Sequence, residues 1–394
     1  MKKYFLSLMM MAMGSMFVTS CISDDDNNKS NPIDVIVSTG LYVVNNGSWN
    51  QNNGSLTYFD YESLQASQLL SGASGLGDTP NDAYTKGDTI FIVGSTENTI
   101  FVVSKSNFTI MDRISTTDEM GEAEGYSPRH ITGLDNKLYF TTYGGYVGEL
   151  DARSLTVTNK YQVGTAPEGI TVGGTSAAPL LYVANSNYGY GGGSISKITL
   201  STGAVETITN ENIQNPQEIV SIGDELYFLD WGHYTDDYSQ QLDAGLYRYY
   251  NGTVTEVIPD ATGLGVGLVY LNSYPVGYML VTYNAPYGGT AKPTYNTYNT
   301  YTGFKGTLTL SGDSGHEIFS PAAIAVDPYT GNIIIASRPK DPDSPASSPW
   351  ASYTLPGYAN MYTSSGQYID GTNFQTGIEP HMIGFTIGKR TITY

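Results

Sequence analysis

The stretch Pro167-Glu168-Gly169-Ile170, followed by Leu181-Tyr182-Val183-Ala184-Asn185, decides the fold because variants of it recur along the chain. The copies, including this one, begin at Pro80, Pro128, Pro167, Pro216, Pro321 and Pro380. Most of these starts lie roughly 40–50 residues apart, a spacing typical of propeller blades with four short strands each. The interval from Pro216 to Pro321 is about two such periods, and Leu264-Gly265-Val266-Gly267 marks a copy without proline at its midpoint. Seven marks predict an all-β, seven-bladed β-propeller.

The ends of the chain predict how the ring closes. In each repeat the Pro-x-x-Ile segment should form the innermost strand, because proline is tolerated at the first position of a strand. The chain opens with a second strand, Leu41-Tyr42-Val43-Val44, and closes with an inner strand, Pro380-His381-Met382-Ile383. Pairing them would complete one blade shared by the N- and C-terminal strands and would leave no open sheet edge. No amphipathic helix is predicted in the chain after the signal peptide.

The N-terminal segment predicts export. Two lysines precede an apolar run from Phe5 to Val18, which is too short to span a bilayer, and Cys21 follows it. Because Cys21 is the only cysteine, a structural disulfide is excluded. Residues 1–20 resemble a bacterial lipoprotein signal peptide, with cleavage before Cys21 and lipidation of that residue. A plain secretory signal with an incidental cysteine is the alternative.

An acidic tether follows over residues 21–33, and one propeller domain is expected over residues 34–394. The run Asp24-Asp25-Asp26 looks like the signal that sends lipoproteins to the outer face of some Gram-negative outer membranes. A flexible acidic linker is the alternative. We therefore expect a lipid-anchored, surface-exposed outer-membrane protein. A net charge of −19 repels phosphate backbones, so nucleic acid is not an expected partner.

Topology indicates where a ligand would bind. Because antiparallel strands alternate in direction, the loop before the first strand and the loop between the second and third strands open on the same face. Loops on a rigid scaffold commonly carry function. The loops before first strands contribute Arg129, His130 and His381. The other loops contribute aromatic, amide and imidazole side chains, namely Asn46, Trp49, Asn50, Tyr143, Tyr146, Asn187, Tyr188, Tyr190, Trp231, His233 and Tyr234.

Three consecutive long loops are predicted on the same face, over residues 230–245, 283–301 and 338–358. The last two add Tyr287, Tyr298, Arg338 and Trp350 to the candidate ligand-binding residues. Such loops would raise one wall of the face and create an asymmetric cavity. Aromatic and amide side chains suit a large, rigid, mostly neutral ligand with many amides, such as a corrinoid, and they also suit a glycan. Packing between blades is the alternative role for each of these residues.

The sequence gives little support for catalysis. It contains no His-Glu-x-x-His, Gly-x-Ser-x-Gly or Walker motif. We therefore predict a protein without enzymatic activity, without a cofactor and without a metal. His130 and His381 occupy similar positions in different repeats, and Asp82, Glu168 and Glu218 share that ring. A metal-dependent lyase or lactonase therefore remains an alternative.

Two sets of residues carry a resemblance to known families. Ala166-Pro167-Glu168-Gly169-Ile170, with the following Leu-Tyr-Val run, resembles the repeat of YncE-like seven-bladed propellers. The opening Leu41–Trp49 stretch, with Ser55–Asp60, is similar to surface lipoproteins of the DUF5074 type, which include the cobamide-binding BtuG group. The resemblance implies capture of a cobamide (vitamin B12) and its delivery to a TonB-dependent transporter. A glycan-binding surface propeller remains the alternative, and the resemblance assigns no individual ligand contact.

Overall fold

The computed structural model describes residues 33–72, 75–237, 241–271, 274–285 and 292–392. The predicted signal peptide 1–20, Cys21, the tether up to residue 32 and Tyr287 lie outside the described residues. Ile33, the last residue of the predicted tether, is already the first residue of a strand.

The described part of the chain is built almost entirely of strands. It also contains one short α-helix, α1 (Thr116–Met120), and a 3-10 turn at Asn187–Gly189. The sequence analysis did not predict α1, which is too short to show helical periodicity and begins after the side-chain cap Ser115. Across the described ranges, no helix combines the length and the apolar character that a membrane crossing requires.

Within the described residues the strands form seven four-stranded antiparallel sheets, here numbered I to VII, and one two-stranded hairpin. Sheet I begins with β1 (Ile33–Asn45), β2 (Ser55–Asp60) and β3 (Gln65–Leu69). Sheet II contains β4 (Pro80–Lys86), β5 (Thr89–Gly94), β6 (Thr99–Ser104) and β7 (Ile110–Ser115). Sheet III contains β8 (Pro128–Leu134), β9 (Lys137–Thr142), β10 (Tyr146–Asp151) and β11 (Thr156–Gln162). Sheet IV contains β12 (Pro167–Thr175), β13 (Ala178–Asn185), β14 (Ser194–Thr199) and β15 (Ala204–Ile208).

The second half of the chain repeats this arrangement. Sheet V contains β16 (Pro216–Ile222), β17 (Glu225–Asp230), β20 (Gly245–Tyr250) and β21 (Thr253–Pro259), and the hairpin β18 (His233–Tyr234) and β19 (Gln241–Leu242) lies between β17 and β20. Sheet VI contains β22 (Gly263–Leu271), β23 (Tyr274–Asn284), β24 (Thr294–Asn299) and β25 (Lys305–Thr307). Sheet VII contains β26 (Ser320–Val326), β27 (Ile333–Arg338), β28 (Pro356–Tyr362) and β29 (Phe374–Ile378). The last strand, β30 (Pro380–Ile392), belongs to sheet I.

The two ends of the described chain pair with each other. β30 lies antiparallel to β1, with Leu41 opposite Phe385 and Ile33 opposite Ile392. Residues 387–392 extend this ladder beyond the rest of the sheet. Sheet I therefore contains the first and the last strands that the structure describes.

Within the described residues the hydrophobic core consists of seven clusters, of which six lie between sheets that follow one another along the chain and one lies between sheets VII and I. Because successive side chains of a strand point to opposite faces, neighbouring residues of β1 join different clusters. Leu41 and Val43 pack against sheet VII, while Tyr42 and Val44 pack against sheet II. The remaining five clusters join II to III, III to IV, IV to V, V to VI and VI to VII. Each four-stranded sheet therefore has both faces covered by other sheets.

Candidate ligand-binding site

In sheets II to V a β-bulge follows the proline that opens the first strand, and it places polar residues at the start of that strand. The pairing of first and second strands shifts register directly after Pro80, Pro128, Pro167 and Pro216. A bulge leaves residues unpaired and changes the direction of their side chains. These bulges contain Asn81, Arg129, His130, Glu168 and Gln217. The recurring proline thus marks both the start of a strand and the position of a polar side chain.

The polar side chains of different first strands meet in a central polar cluster. We define this cluster as Asp82, Arg129, His130, Glu168, Glu218 and His381. His130 Nδ1 lies 3.3 Å from Asp82 Oδ2, and His130 Nε2 lies 3.7 Å from Glu168 Oε2. Arg129 Nε donates a hydrogen bond to Glu168 Oε2 at 2.8 Å, and the Tyr143 hydroxyl donates to Glu168 Oε1. Glu168 is only 3% exposed, so its charge depends on these partners.

Burial and neighbouring charges shift the pKa values of the two histidines in opposite directions. Burial lowers the pKa of His130, but the hydrogen bond and charge of Asp82 and the charge of Glu168 outweigh it, so the pKa is raised above 6.5. Burial, followed by the positive charges of Arg129, His130 and Arg338, lowers the pKa of His381 to about 3. Burial raises the pKa of Glu218 to about 7, although His130 opposes this shift. The cluster therefore combines a guanidinium and an imidazole whose protonated form is favoured with a second imidazole that is neutral at pH 7.

Two adjoining cavities open above and beside this cluster. The central cavity has a volume of about 760 Å³ and is lined by residues from the first strands of all seven sheets that the structure describes. The outer cavity has a volume of about 870 Å³. Both are lined by His130, Glu218, Trp231, Tyr234 and His381. The two cavities are therefore parts of one larger depression.

Aromatic side chains line the outer cavity. Tyr190 is 86% exposed, and Tyr188 packs edge-on against Tyr143 with 5.3 Å between ring centroids. The guanidinium of Arg129 lies 4.8 Å from the centroid of the Tyr143 ring. Rings held in this way offer a large contact area at a small entropic cost. The depression therefore has an aromatic wall above a polar floor.

The loop between β17 and β20 places Trp231 at the junction of the two cavities. The preceding residue, Asp230, is fully buried and accepts hydrogen bonds from the backbone N–H groups of Gln214, Asn215 and Gly232. The Trp231 Nε1–H donates to the carbonyl oxygen of Thr262 at 3.1 Å. The hydrogen bonds of Asp230 thus fix the backbone beside Trp231, and the bond from Nε1 fixes the indole. The Trp231 side chain remains 38% exposed.

The structure brings ten of the predicted residues to this depression. They are Arg129, His130, Tyr143, Tyr188, Tyr190, Trp231, His233, Tyr234, Arg338 and His381. Arg338 forms an ion pair with Glu379 at the rim of the central cavity, with Nε donating at 2.7 Å. Their role in ligand binding stays a prediction.

Seven other predicted residues lie elsewhere. Asn46, Trp49, Tyr146, Asn187, Tyr298 and Trp350 line neither cavity, and Asn50 lines a separate cleft. Asn187 donates to the carbonyl oxygen of Gly191 within its own turn. Tyr146 lies on β10, where it packs on the core and Lys160 lies 5.9 Å from its ring centroid.

The predicted long loop over residues 283–301 is wrong. Residues Thr294–Asn299 form β24, so the connection after β23 ends well before Tyr301. Tyr298 is therefore a strand residue that packs between sheets V and VI, with its ring centroid 5.8 Å from that of Tyr227. The segment Thr294–Asn299 was predicted to be part of a loop because its asparagines favour turns. Its tyrosines and threonines favour a strand, which is what the segment forms.

Three aromatic residues that line the central cavity were not predicted from the sequence, namely Tyr283, Tyr353 and Phe385. Tyr283 lies near the end of β23, at a level equivalent to the ends of the other second strands, so an alignment of the repeats could have found it. Tyr353 lies in the long loop before β28, and the guanidinium of Arg338 lies 5.1 Å from its ring centroid. No repeat signal marks that position. Among the described residues, no group of three or more His, Cys, Asp and Glu side chains is arranged to hold a metal ion.

Comparison with known proteins shows the fold alone. No protein-family model and no curated protein matches the chain. A hypothetical selenium-binding protein from Sulfolobus tokodaii is 12% identical, covering 91% of this chain and 94% of that one, with a TM-score of 0.62. A candidate 6-phosphogluconolactonase from Bacteroides uniformis is 11% identical, covering 88% and 99%, with a TM-score of 0.56. The WD40 β-propeller domain of Doa1 is 10% identical, covering 79% and 91%, with a TM-score of 0.53. These likenesses confirm a β-propeller-like all-β fold.

Replacing Glu218 with Gln should change how stability depends on pH. Because the pKa of Glu218 is raised from 4.5 to about 7, its contribution to stability is fully present below about pH 4.5 and is lost as the pH rises through about 7. The stability of Glu218→Gln relative to the wild type should therefore rise between about pH 5 and about pH 8, by on the order of 2 kcal/mol. Urea unfolding across this range measures the difference. Glu206→Gln, which alters an exposed carboxylate, is the control, and a Glu218→Gln profile parallel to the wild type would contradict the prediction.

Proposed function

We propose that this chain is a surface-exposed outer-membrane lipoprotein that captures a cobamide and delivers it to a TonB-dependent transporter. The observation that carries the proposal is the pair of cavities of about 760 and 870 Å³ that share five lining residues. Ligand sites are typically concave, apolar or aromatic in part, and equipped with a few placed polar groups. A ligand larger than an ordinary drug molecule could fill both cavities at once.

The proposal includes a closed ring of seven blades. It is supported by the seven four-stranded sheets of the described residues and by the seven core clusters that join them in cyclic order. It is also supported by the pairing of β1 with β30 and by contacts of β30 with both β4 and β26. In such a ring the first strands surround a central channel, and their bulges supply its polar lining.

The chemistry of the depression suits a large neutral ligand with many amides. Tyr190 and Trp231 offer aromatic faces, while Gln217 and Gln241 offer amide groups at the cavity walls. Arg129 and Glu168 form an ion pair with each other, so their charges balance. They can still offer hydrogen-bonding groups to a ligand without a large net charge. We infer binding without catalysis, in which loops held in place enclose the ligand and release it when the transporter competes for it.

Localisation and delivery rest on the N-terminal sequence and on the family resemblance. Cys21 with its preceding apolar run supports lipid anchoring, and the acidic run after it supports surface exposure. The partner is inferred from the resemblance of residues 41–60 to cobamide-capturing surface lipoproteins.

Titration calorimetry of the purified protein with cyanocobalamin tests the proposed identity of the ligand. We expect saturable binding of one cyanocobalamin per chain, together with a change in the visible spectrum of the corrinoid. Binding of a glycan panel without any heat from cyanocobalamin would instead favour a glycan-binding propeller. Absence of binding to both would overturn the proposal of a capture protein.

Trp231→Ala should weaken cyanocobalamin binding by about 1–2 kcal/mol, because the indole lies at the junction of both cavities. The melting temperature should change little, since the side chain is 38% exposed. Trp350→Ala is a matched control, because Trp350 is 48% exposed and lines neither cavity. Equal losses of affinity in the two variants, measured by calorimetry, would contradict the proposed position of the ligand.

A further inference from the structure

A third depression, the side cleft, lies between sheets I and II and is separate from the proposed cobamide site. Its volume is about 430 Å³. Among the described residues, none lines both the side cleft and either of the two cavities. Its lining includes Asn50, Asn52, Asp78, Glu97, Phe101 and Arg113. The proposed function assigns no role to this cleft.

A buried carboxylate in the cleft has an oxygen without a hydrogen-bond partner. Asp78 is only 5% exposed, and its Oδ2 accepts a hydrogen bond from the backbone N–H of Asn50 at 2.9 Å. Its Oδ1 is buried and has no partner in the protein. The Asp78 backbone N–H donates to Glu97 Oε1 at 3.2 Å, which brings a second carboxylate to the same wall. An unsatisfied buried acceptor is costly, and a donor from a molecule in the cleft would remove that cost.

The rest of the lining offers both donors and acceptors. The amides of Asn50 and Asn52 are exposed, and the hydroxyls of Thr96 and Thr99 line the same space. The guanidinium of Arg113 lies 5.0 Å from the centroid of the Phe101 ring at another part of the wall. A hydroxyl group both donates and accepts, so a ligand with several hydroxyls can match this mixture of groups.

Two observations favour such a ligand over a cation. The guanidinium of Arg113 lines the cleft and would repel a metal ion, and the cleft is far larger than one ion needs. In addition, Phe101 lines the cleft, which places an apolar ring beside the polar groups. Sugar rings combine several hydroxyls with flat C–H faces, so they present both kinds of surface.

We propose that the side cleft binds a neutral sugar residue, and that it does so independently of the central and outer cavities. The carboxylates of Asp78 and Glu97, which both line the cleft, accept hydrogen bonds from the hydroxyls of the sugar. The amides of Asn50 and Asn52 donate to its oxygens. The protein thus carries a second binding site, directed at glycans, beside the site for its captured ligand.

Saturation-transfer NMR of the purified protein tests this inference with methyl α-glucoside, methyl α-mannoside, methyl β-galactoside and N-acetylglucosamine. We expect transfer to at least one of these sugars. Asp78→Asn and Glu97→Gln should each weaken that binding by about tenfold, the loss expected when one hydrogen bond to a charged group is removed. Glu122→Gln removes an exposed carboxylate outside the cleft and should leave the binding unchanged.

Circular dichroism establishes that each variant is folded. Because Glu97 is exposed, Glu97→Gln decides the question if Asp78→Asn does not fold. Absence of transfer to all four sugars would overturn the proposal, and so would transfer that both folded variants retain in full. Calcium binding that Glu97→Gln abolishes, without any sugar binding, would identify a cation site instead and would also overturn it. Calorimetry of the same variants with cyanocobalamin should match the wild type, which separates this inference from the proposed function.

Discussion

A chain that ends at Glu379 is expected to lose cooperative folding. The truncation removes β30, which pairs with β1 from Ile33 to Asn45. Ile383 and Phe385 also pack in the core between sheets I and VII, and Met382 packs in the core between sheets I and II. Burial of three large apolar side chains contributes roughly 5 kcal/mol or more, which approaches the total stability of many domains. The truncation would also leave the long strand β1 with an unpaired edge.

Urea unfolding followed by circular dichroism measures this effect. A chain that ends at Gly388 is the matched control, because it keeps Ile383 and Phe385 and loses residues such as Lys389 and Thr391, which are exposed. That shorter truncation should change the unfolding midpoint only slightly. A chain ending at Glu379 that unfolds at the wild-type urea concentration would contradict both the role of β30 and the proposed closed ring.

Glu168→Gln is expected to lower the free energy of unfolding by about 3 kcal/mol, because it leaves the charge of Arg129 in a buried site without its partner. Glu168 is 3% exposed, and it accepts hydrogen bonds from Arg129 and from Tyr143 and also faces His130. A neutral amide keeps the shape of the side chain but removes the negative charge that balances the guanidinium of Arg129. Thermal or urea unfolding at neutral pH measures the change.

Two further variants separate this effect from a general loss of charge. Glu206→Gln breaks the exposed ion pair with Lys197, whose N–O distance is 3.2 Å, and should cost less than about 0.5 kcal/mol. Arg129→Met combined with Glu168→Gln removes both charges and should be less destabilised than Glu168→Gln alone. A double variant that is less stable than the single one would show that the charge of Arg129 is not the cause.

The repeat in the sequence predicted the strands well, because it combines two strong physical signals. A proline at the first position of a strand and an apolar run in the second strand both follow from the geometry of a sheet with both faces covered. The segments around Leu41 and Ile383 were predicted to pair, and Val43 lies opposite Ile383. The helix α1 and the strand β24 were missed, since neither has an apolar pattern of its own.

The candidate site was predictable only in part. The residues beside the prolines, such as His130 and His381, meet at the centre because each repeat brings the same position to the same place. Residues in long loops do not follow the repeat, so Trp350 was predicted to line the cavity while Tyr353 does so. The orphaned oxygen of Asp78 could not be predicted, because it depends on which backbone groups approach that carboxylate.

The pairing of the two ends has a consequence for the order of events during biosynthesis. Thr39 and Thr386, whose hydroxyls lie 3.1 Å apart in sheet I, are 347 residues apart in the chain. Contacts of such long range form slowly, because much chain entropy is lost before they provide any stabilisation. A polypeptide still emerging from the ribosome or from a translocation channel cannot complete sheet I. Its maturation must therefore wait for the final residues, and until then β1 is open to chaperones and to aggregation.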